Sequence, residues 1–135
     1  MDLKQVDYVK NKVFVLDSGK YLGYDYYIFN GNICPFAYIN IPKRSILFEK
    51  ERFIKENIFP HGSISRFCRA LLINNAYMYG YWIGWDYGLE GDYTTLIREL
   101  NVKKWTTEEI LNDVINTIEI LKENENEVNF SRLSR

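Results

Sequence analysis

Histidine is all but missing from this chain. His61 is the only one in 135 residues, which closes off every site that needs a histidine pair. Cysteine is nearly as scarce. Cys34 and Cys68 form no Cys-x-x-Cys unit, so no metal-ligand spacing is present and no metal site or cofactor is expected. Without a secretory leader the two thiols read as reduced, half-buried small hydrophobes. No apolar run approaches the roughly 18 residues of a membrane span, and the opening Met-Asp-Leu-Lys-Gln-Val-Asp has no apolar core of a signal peptide. The expected setting is therefore soluble and cytoplasmic, with no membrane partner. Charge of one sign is also lacking: 17 Lys and Arg against 18 Asp and Glu give a net charge of −1. Such a chain has no field for blanket phosphate contact, which argues against nonspecific nucleic-acid binding.

What the chain has in excess is aromatic surface. Eleven Tyr, eight Phe and three Trp make 16% of the residues, a share that suits pleated sheets and binding faces. The length is that of one domain, and no repeat or linker divides it. The reading is a single α+β domain over residues 1–123 with a polar, fraying tail over 124–135. Its body would be an antiparallel, aromatic-rich sheet of about five strands, packed against a C-terminal amphipathic helix and one further helix.

Along the chain, Lys12–Asp17 reads as a strand and Asp17-Ser18-Gly19-Lys20 as a turn. Tyr21–Phe29 and Ile33–Ile41 read as a hairpin about Asn30-Gly31-Asn32, with Pro35 marking an edge or bulge. Ser45–Ile58 reads as a helix, Ile64–Phe67 as a short strand, and Arg69–Asn74 as strand or helix. Asn74-Asn75 turns the chain into a central strand, Tyr77–Trp85. Residues 93–100 suit a helical turn or a strand. The last helix carries the clearest signal. Thr106 and Glu109 form a capping box, Trp105 and Ile110 a staple, and Ile110, Leu111, Val114, Ile115, Ile118 and Leu121 share a face.

The central strand breaks into Gly84, Asp86, Gly88, Glu90, Gly91 and Asp92, an ending unlike that of an ordinary core strand. Carboxylates beside glycines can bind a divalent cation or polarise water, and they can equally cap turn amides. With His61 they supply catalytic candidates: His61, Asp86 and Asp92, or a triad drawn from Ser63 or Ser65, His61 and Asp86. Tyr77, Tyr79 and Tyr81 alternate on one face, where Tyr24, Tyr26 and Tyr38 can join them. The candidate binding set is Tyr77, Tyr79, Tyr81, Trp82, Trp85, Asp86, Glu90 and Asp92.

His61-Gly62-Ser63-Ile64-Ser65 followed by Trp82-Ile83-Gly84-Trp85-Asp86-Tyr87-Gly88-Leu89-Glu90-Gly91-Asp92 resembles a motif pair of small phage and prophage proteins. There the wording is His-Gly-Gly-(Ile/Leu)-Thr-Tyr, then Trp-Trp-Ile-Gly-Phe-Asp-Cys-Ala-His-x-Gly-Asp. His61, Asp86 and Asp92 fall on its polar positions, whereas Leu89 replaces the second histidine, Ser63 a glycine and Tyr87 the cysteine. The resemblance implies a phage-type accessory protein in the cytoplasm of an infected or lysogenic bacterium. Small size, the aromatic surplus, the lack of an intact catalytic constellation and that origin together suggest action by binding a host protein, a CRISPR-Cas effector or another defence component. Self-association into a homo-oligomer through the aromatic sheet or an edge strand is a further expectation, and a virion part a third. The competing expectation is a small metal- or nucleotide-binding, enzyme-like protein using His61, Asp86, Glu90 and Asp92. That predicts the 60–64 loop beside the 86–92 turn with its carboxylates converging. The binding reading predicts acids that cap backbone or point apart, and an exposed apolar patch elsewhere.

Overall fold

A computed structural model of the chain describes the backbone of residues 6–8, 13–96 and 101–133, and the side chains of 13–96 and 101–126. The strands are β1 (Val6–Tyr8), β2 (Val15–Tyr21), β3 (Tyr24–Phe29), β4 (Phe36–Ile41), β5 (Arg66–Ile73) and β6 (Ala76–Asp86). The helices are α1 (Glu51–Asn57) and α2 (Thr107–Leu133). The strands form one sheet in the order β1-β5-β6-β4-β3-β2. The five from β2 to β6 are antiparallel to their neighbours, while β1 adds to the β5 edge in parallel. The fold is α+β, as the sequence leads one to expect.

Two asparagines make the β5–β6 turn. Asn74 and Asn75 both sit at positive φ (51° and 65°), the left-handed geometry that matches strand twist in a two-residue hairpin loop. Leu22 and Gly23 do the same between β2 and β3, at 48° and 87°. The turn expected at Asp17–Lys20 therefore lies inside β2, because the positive-φ pair comes later. Asn30-Gly31-Asn32 does open the β3–β4 connection, but within a six-residue loop ending at Pro35. Gly31 is fixed there: a Cβ would stand 1.8 Å from the Cys34 carbonyl oxygen.

The helix expected over Ser45–Ile58 is shortened to Glu51–Asn57. Glu49 takes a left-handed φ of 62°, which ends a run of tight turns held by Ser45 N to Pro42 O and Phe48 N to Ser45 O. Helix α2 begins as its capping box dictates: Thr106 N donates to Glu109 Oε1 and Glu109 N to Thr106 Oγ1. It does not fray at Asn124 but continues helical to Leu133. One anchor is Glu125, which accepts from Tyr24 Oη and Ser45 Oγ. Residues 93–96 form neither a helix nor a strand, and 97–100 lie outside the described residues.

One sheet face is covered by helix. Ile28, Ile39, Ile83 and Trp85 pack there with Ile110, Val114, Ile118 and Leu121, all fully buried, together with Leu47, Ile54 and Ile58. Each such side chain contributes about 1.5–3 kcal/mol by leaving water. The opposite face carries a second, aromatic cluster of Phe29, Tyr38, Cys68, Leu71, Ile73 and Trp82. Strand alternation divides the tyrosines accordingly. Tyr24, Tyr26 and Tyr81 side with the helix, and Tyr38 with the other face, so Tyr38 does not join the surface expected of it. Among the described residues no helix is long and apolar enough to cross a membrane.

Candidate functional site

Strand β6 outruns its neighbour β4 at the N-terminal end, and this divides the expected binding residues into two groups. Pairing of β6 with β4 begins at Tyr81, opposite Ile41, and ends at Asp86, opposite Phe36. Residues 76–79 pair with β5 alone. Tyr77 and Tyr79 thus project at one end of the sheet, whereas Asp86–Asp92 fold over at the other.

At the acidic end the 60–64 loop does lie beside the 86–92 turn. Gly62, at φ +77°, allows the close approach, since a Cβ there would meet Leu89 Cδ1 at 2.7 Å. His61 Nε2 lies 2.6 Å from Asp92 Oδ2. A carboxylate only accepts, so the ring donates through Nε2. Asp92 also accepts from Leu89 N (3.1 Å) and from Trp105 Nε1 (2.8 Å), and its side chain is only 6% exposed. The His61 ring stacks on Tyr87 at 4.6 Å and meets Trp105 edge-on at 4.7 Å. Tyr87 Oη in turn donates to Asp113 Oδ2 and accepts from Trp85 Nε1. Burial, with help from Asp113, holds that phenol far above its ordinary range.

The carboxylates do not converge. Asp86 Oδ1 accepts from Gly88 N, while Oδ2 stands 3.8 Å from Arg66. Glu90 is exposed. Among the described residues no three metal-ligating side chains come together, and no serine, threonine or cysteine hydrogen-bonds to His61. The Ser-His-Asp triad is therefore not assembled: His61 pairs with Asp92 and not with Asp86. Cys34 lines a 230 Å³ cavity beside Tyr87 and Trp105, but burial and the nearby Asp86 push its thiol up, away from the nucleophilic thiolate. Chemically the arrangement is a latch, in which one carboxylate ties the loop before β5, the turn after β6 and the approach to α2. Parallel bridging of Asp92 and Lys103 reinforces it, with Tyr93 N to Lys103 O and Lys103 N to Gly91 O both at 2.8 Å.

The other end is open. Between the β2–β3 and β5–β6 hairpins lies a 580 Å³ groove lined by Ser18, Gly19, Lys20, Asp25, Tyr26, Tyr27, Asn40, Tyr77, Met78, Tyr79 and Trp82. Tyr79 is 66% exposed and Tyr77 37%, their rings 5.9 Å apart. Trp82 forms the floor, 2% exposed, with Tyr27 against it at 5.7 Å. Of the expected binding residues, Tyr77, Tyr79 and Trp82 meet here. Trp85 and Tyr81 are buried on the helix face, and Asp86, Glu90 and Asp92 are at the far end. Sequence reading missed Tyr87, Trp105 and Asp113 in the latch. It also missed Lys20, Asp25 and Asn40 in the groove. The aromatic word around Tyr87 was visible, but nothing in the order of residues ties Asp92 to Trp105.

Comparison of the chain with protein-family models, with curated proteins and with solved structures finds no match.

Proposed function

We propose that the protein acts by binding another protein through the open groove, as a phage-type accessory factor. Its target on this reading is a component of a host defence system such as a CRISPR-Cas effector. One observation carries the binding reading: the large rings of Tyr79 and Tyr77 stand in solvent beside a formed groove, while the acids Asp86 and Asp92 are spent on internal partners. Exposed aromatics around a recess are what protein-binding hot spots are made of. The choice of a defence target rests on the phage-type motif resemblance.

The test is phage plating on a host with active CRISPR-Cas immunity, with and without the protein expressed. Wild type should restore plaques and Tyr77→Ser plus Tyr79→Ser should not, at equal expression, whereas Glu90→Ala should behave as wild type. Failure of wild type to protect against any defence system in a panel sinks the target assignment. Full protection by the tyrosine variant sinks the groove as the binding surface. The enzyme-like alternative has its own test, a thermal shift by Mg²⁺, Mn²⁺, Zn²⁺ or a nucleotide that Asp92→Asn abolishes.

A further inference from the structure

We infer that the groove recognises an extended, uncharged, proline-rich segment of its partner. This rests on the protein-binding reading above and adds the chemistry of what is bound. The groove's charges cancel: Lys20, the only basic residue in its lining among the described residues, stands 3.7 Å from Asp25. A site for a phosphate chain needs cations to spare, and a site for a basic peptide needs acids to spare. Neither is available, so the matching ligand is neutral.

The polar side-chain atoms left over in the lining can all donate. Trp82 Nε1 is committed to Met78 O. Asn40 Oδ1 is committed to Tyr81 N at 3.1 Å, which leaves the Asn40 amide NH₂ as a donor. Gly80 preserves that arrangement, since a Cβ there would stand 2.6 Å from Asn40 Oδ1. The hydroxyls of Ser18, Tyr26, Tyr27, Tyr77 and Tyr79 can each donate to a carbonyl, besides accepting. A polyproline II segment is the complementary object: its carbonyls accept, its prolines have no N–H to satisfy, and its rings lie flat on aromatic faces.

The dimensions agree. The groove crosses β2, β3, β4 and β6, which are consecutive in the sheet. Three strand spacings make about 14 Å, or about four to five residues at about 3.1 Å each in polyproline II. The ligand is also stiff before it binds, so little ordering entropy opposes docking.

The test titrates the full chain with a proline decamer, and separately with a Gly-Ser decamer, oligo(dT) and a cello-oligosaccharide. Tryptophan fluorescence and the indole N–H signals are followed. Saturable binding of the proline decamer alone is expected, with the Trp82 indole signal moving. Tyr79→Ser should weaken it about tenfold, the loss of one aromatic anchor. Because Tyr79 is exposed the variant should fold, and its unchanged melting temperature is the control. No saturable binding of the proline decamer overturns the inference, as does tighter binding of oligo(dT) or the oligosaccharide, or affinity indifferent to Tyr79→Ser. The plating assay separates the two levels. If the tyrosine double variant loses protection while the proline decamer fails to bind, the ligand chemistry is wrong and the protein-binding surface stands. If the decamer binds and protection is never seen, the ligand chemistry stands and the target assignment falls.

Discussion

The two ends of β6 are made of the same kinds of residue and use them in opposite ways. At the C-terminal end Asp86, Tyr87 and Asp92, with Trp85 and Trp105 nearby, are knitted into internal hydrogen bonds, and Asp92 alone meets three partners. At the N-terminal end Tyr77 and Tyr79 meet water and each other. Folding accounts for the first end, because a buried polar group must be satisfied or it costs about 1–3 kcal/mol. Folding does not account for the second, since a domain stable by about 5–15 kcal/mol gains little from an aromatic ring left in solvent. Motif-bearing residues can thus be structural, and the overhanging end of β6 is the surface we propose for binding.

The sharpest way to break this contrast is to remove Asp92. Asp92→Ala leaves His61 Nε2, Trp105 Nε1 and Leu89 N without their shared acceptor. The expected loss is about 3–4 kcal/mol in urea unfolding at an unchanged slope. A double-mutant cycle with His61→Ala should return a coupling of at least about 1 kcal/mol. A loss below about 1 kcal/mol would mean that the latch is not structural, and that its residues are held in place for chemistry.

Tyr87→Phe comes next. It deletes the hydroxyl that serves Asp113 and Trp85 while keeping the ring under His61, and should cost about 1–2 kcal/mol near neutral pH. Its signature is in the pH dependence. Tyr87, Tyr24 and Tyr81 are all held above the ordinary phenol value chiefly by burial, Tyr81 to about 12. A raised folded value means that the unfolded chain loses its proton first. Their contribution is therefore complete below pH about 10 and falls as pH climbs beyond it, by up to about 1.4 kcal/mol per pH unit for each tyrosine. Urea midpoints between pH 8 and 11.5 should fall less steeply for Tyr87→Phe than for wild type. Equal slopes would show that Tyr87 does not hold its proton as the burial implies.

Smaller again is Thr106→Ala, which breaks the reciprocal cap leading out of the latch through Trp105. About 1 kcal/mol is expected from the same unfolding measurement.

How much of this could be read from the chain follows the range of the interactions. The capping box and the α2 face were legible because they repeat within a turn or two, and Asn74-Asn75 because a hairpin turn is decided by its own φ angles. The start of α1 was not, since Glu49 adopts a left-handed conformation that its side chain does not advertise. Strand β1 was missed because three residues in parallel at an edge leave no alternation to detect. The continuation of α2 past Asn124 depends on Glu125 reaching Tyr24, 101 positions away in sequence. Proximity of His61 to the acidic turn was foreseeable as one of two outcomes, but the choice of Asp92 over Asp86 was not. That choice is made by Trp105 and by the bridge to Lys103, both remote from the motif.

The smallest expected effect on stability is the most informative about function. Tyr79→Ser exchanges a ring that is 66% exposed for a small polar side chain on the overhanging part of β6. Its cross-strand neighbour there is Ala70 on β5, and the backbone pairing of the two strands does not depend on the ring. Surface changes away from caps and packed cores stay within about 0.5 kcal/mol, so the melting curve should superimpose on wild type. Trp82→Ala, three residues on and fully buried, should instead cost about 3–5 kcal/mol. The pair therefore separates the floor of the groove from its rim. If Tyr79→Ser destabilises the protein by 1 kcal/mol or more (about one unit on the scale of a lost cap), then the exposed ring is part of the fold after all. The contrast between the two ends of β6 would then lose its functional meaning.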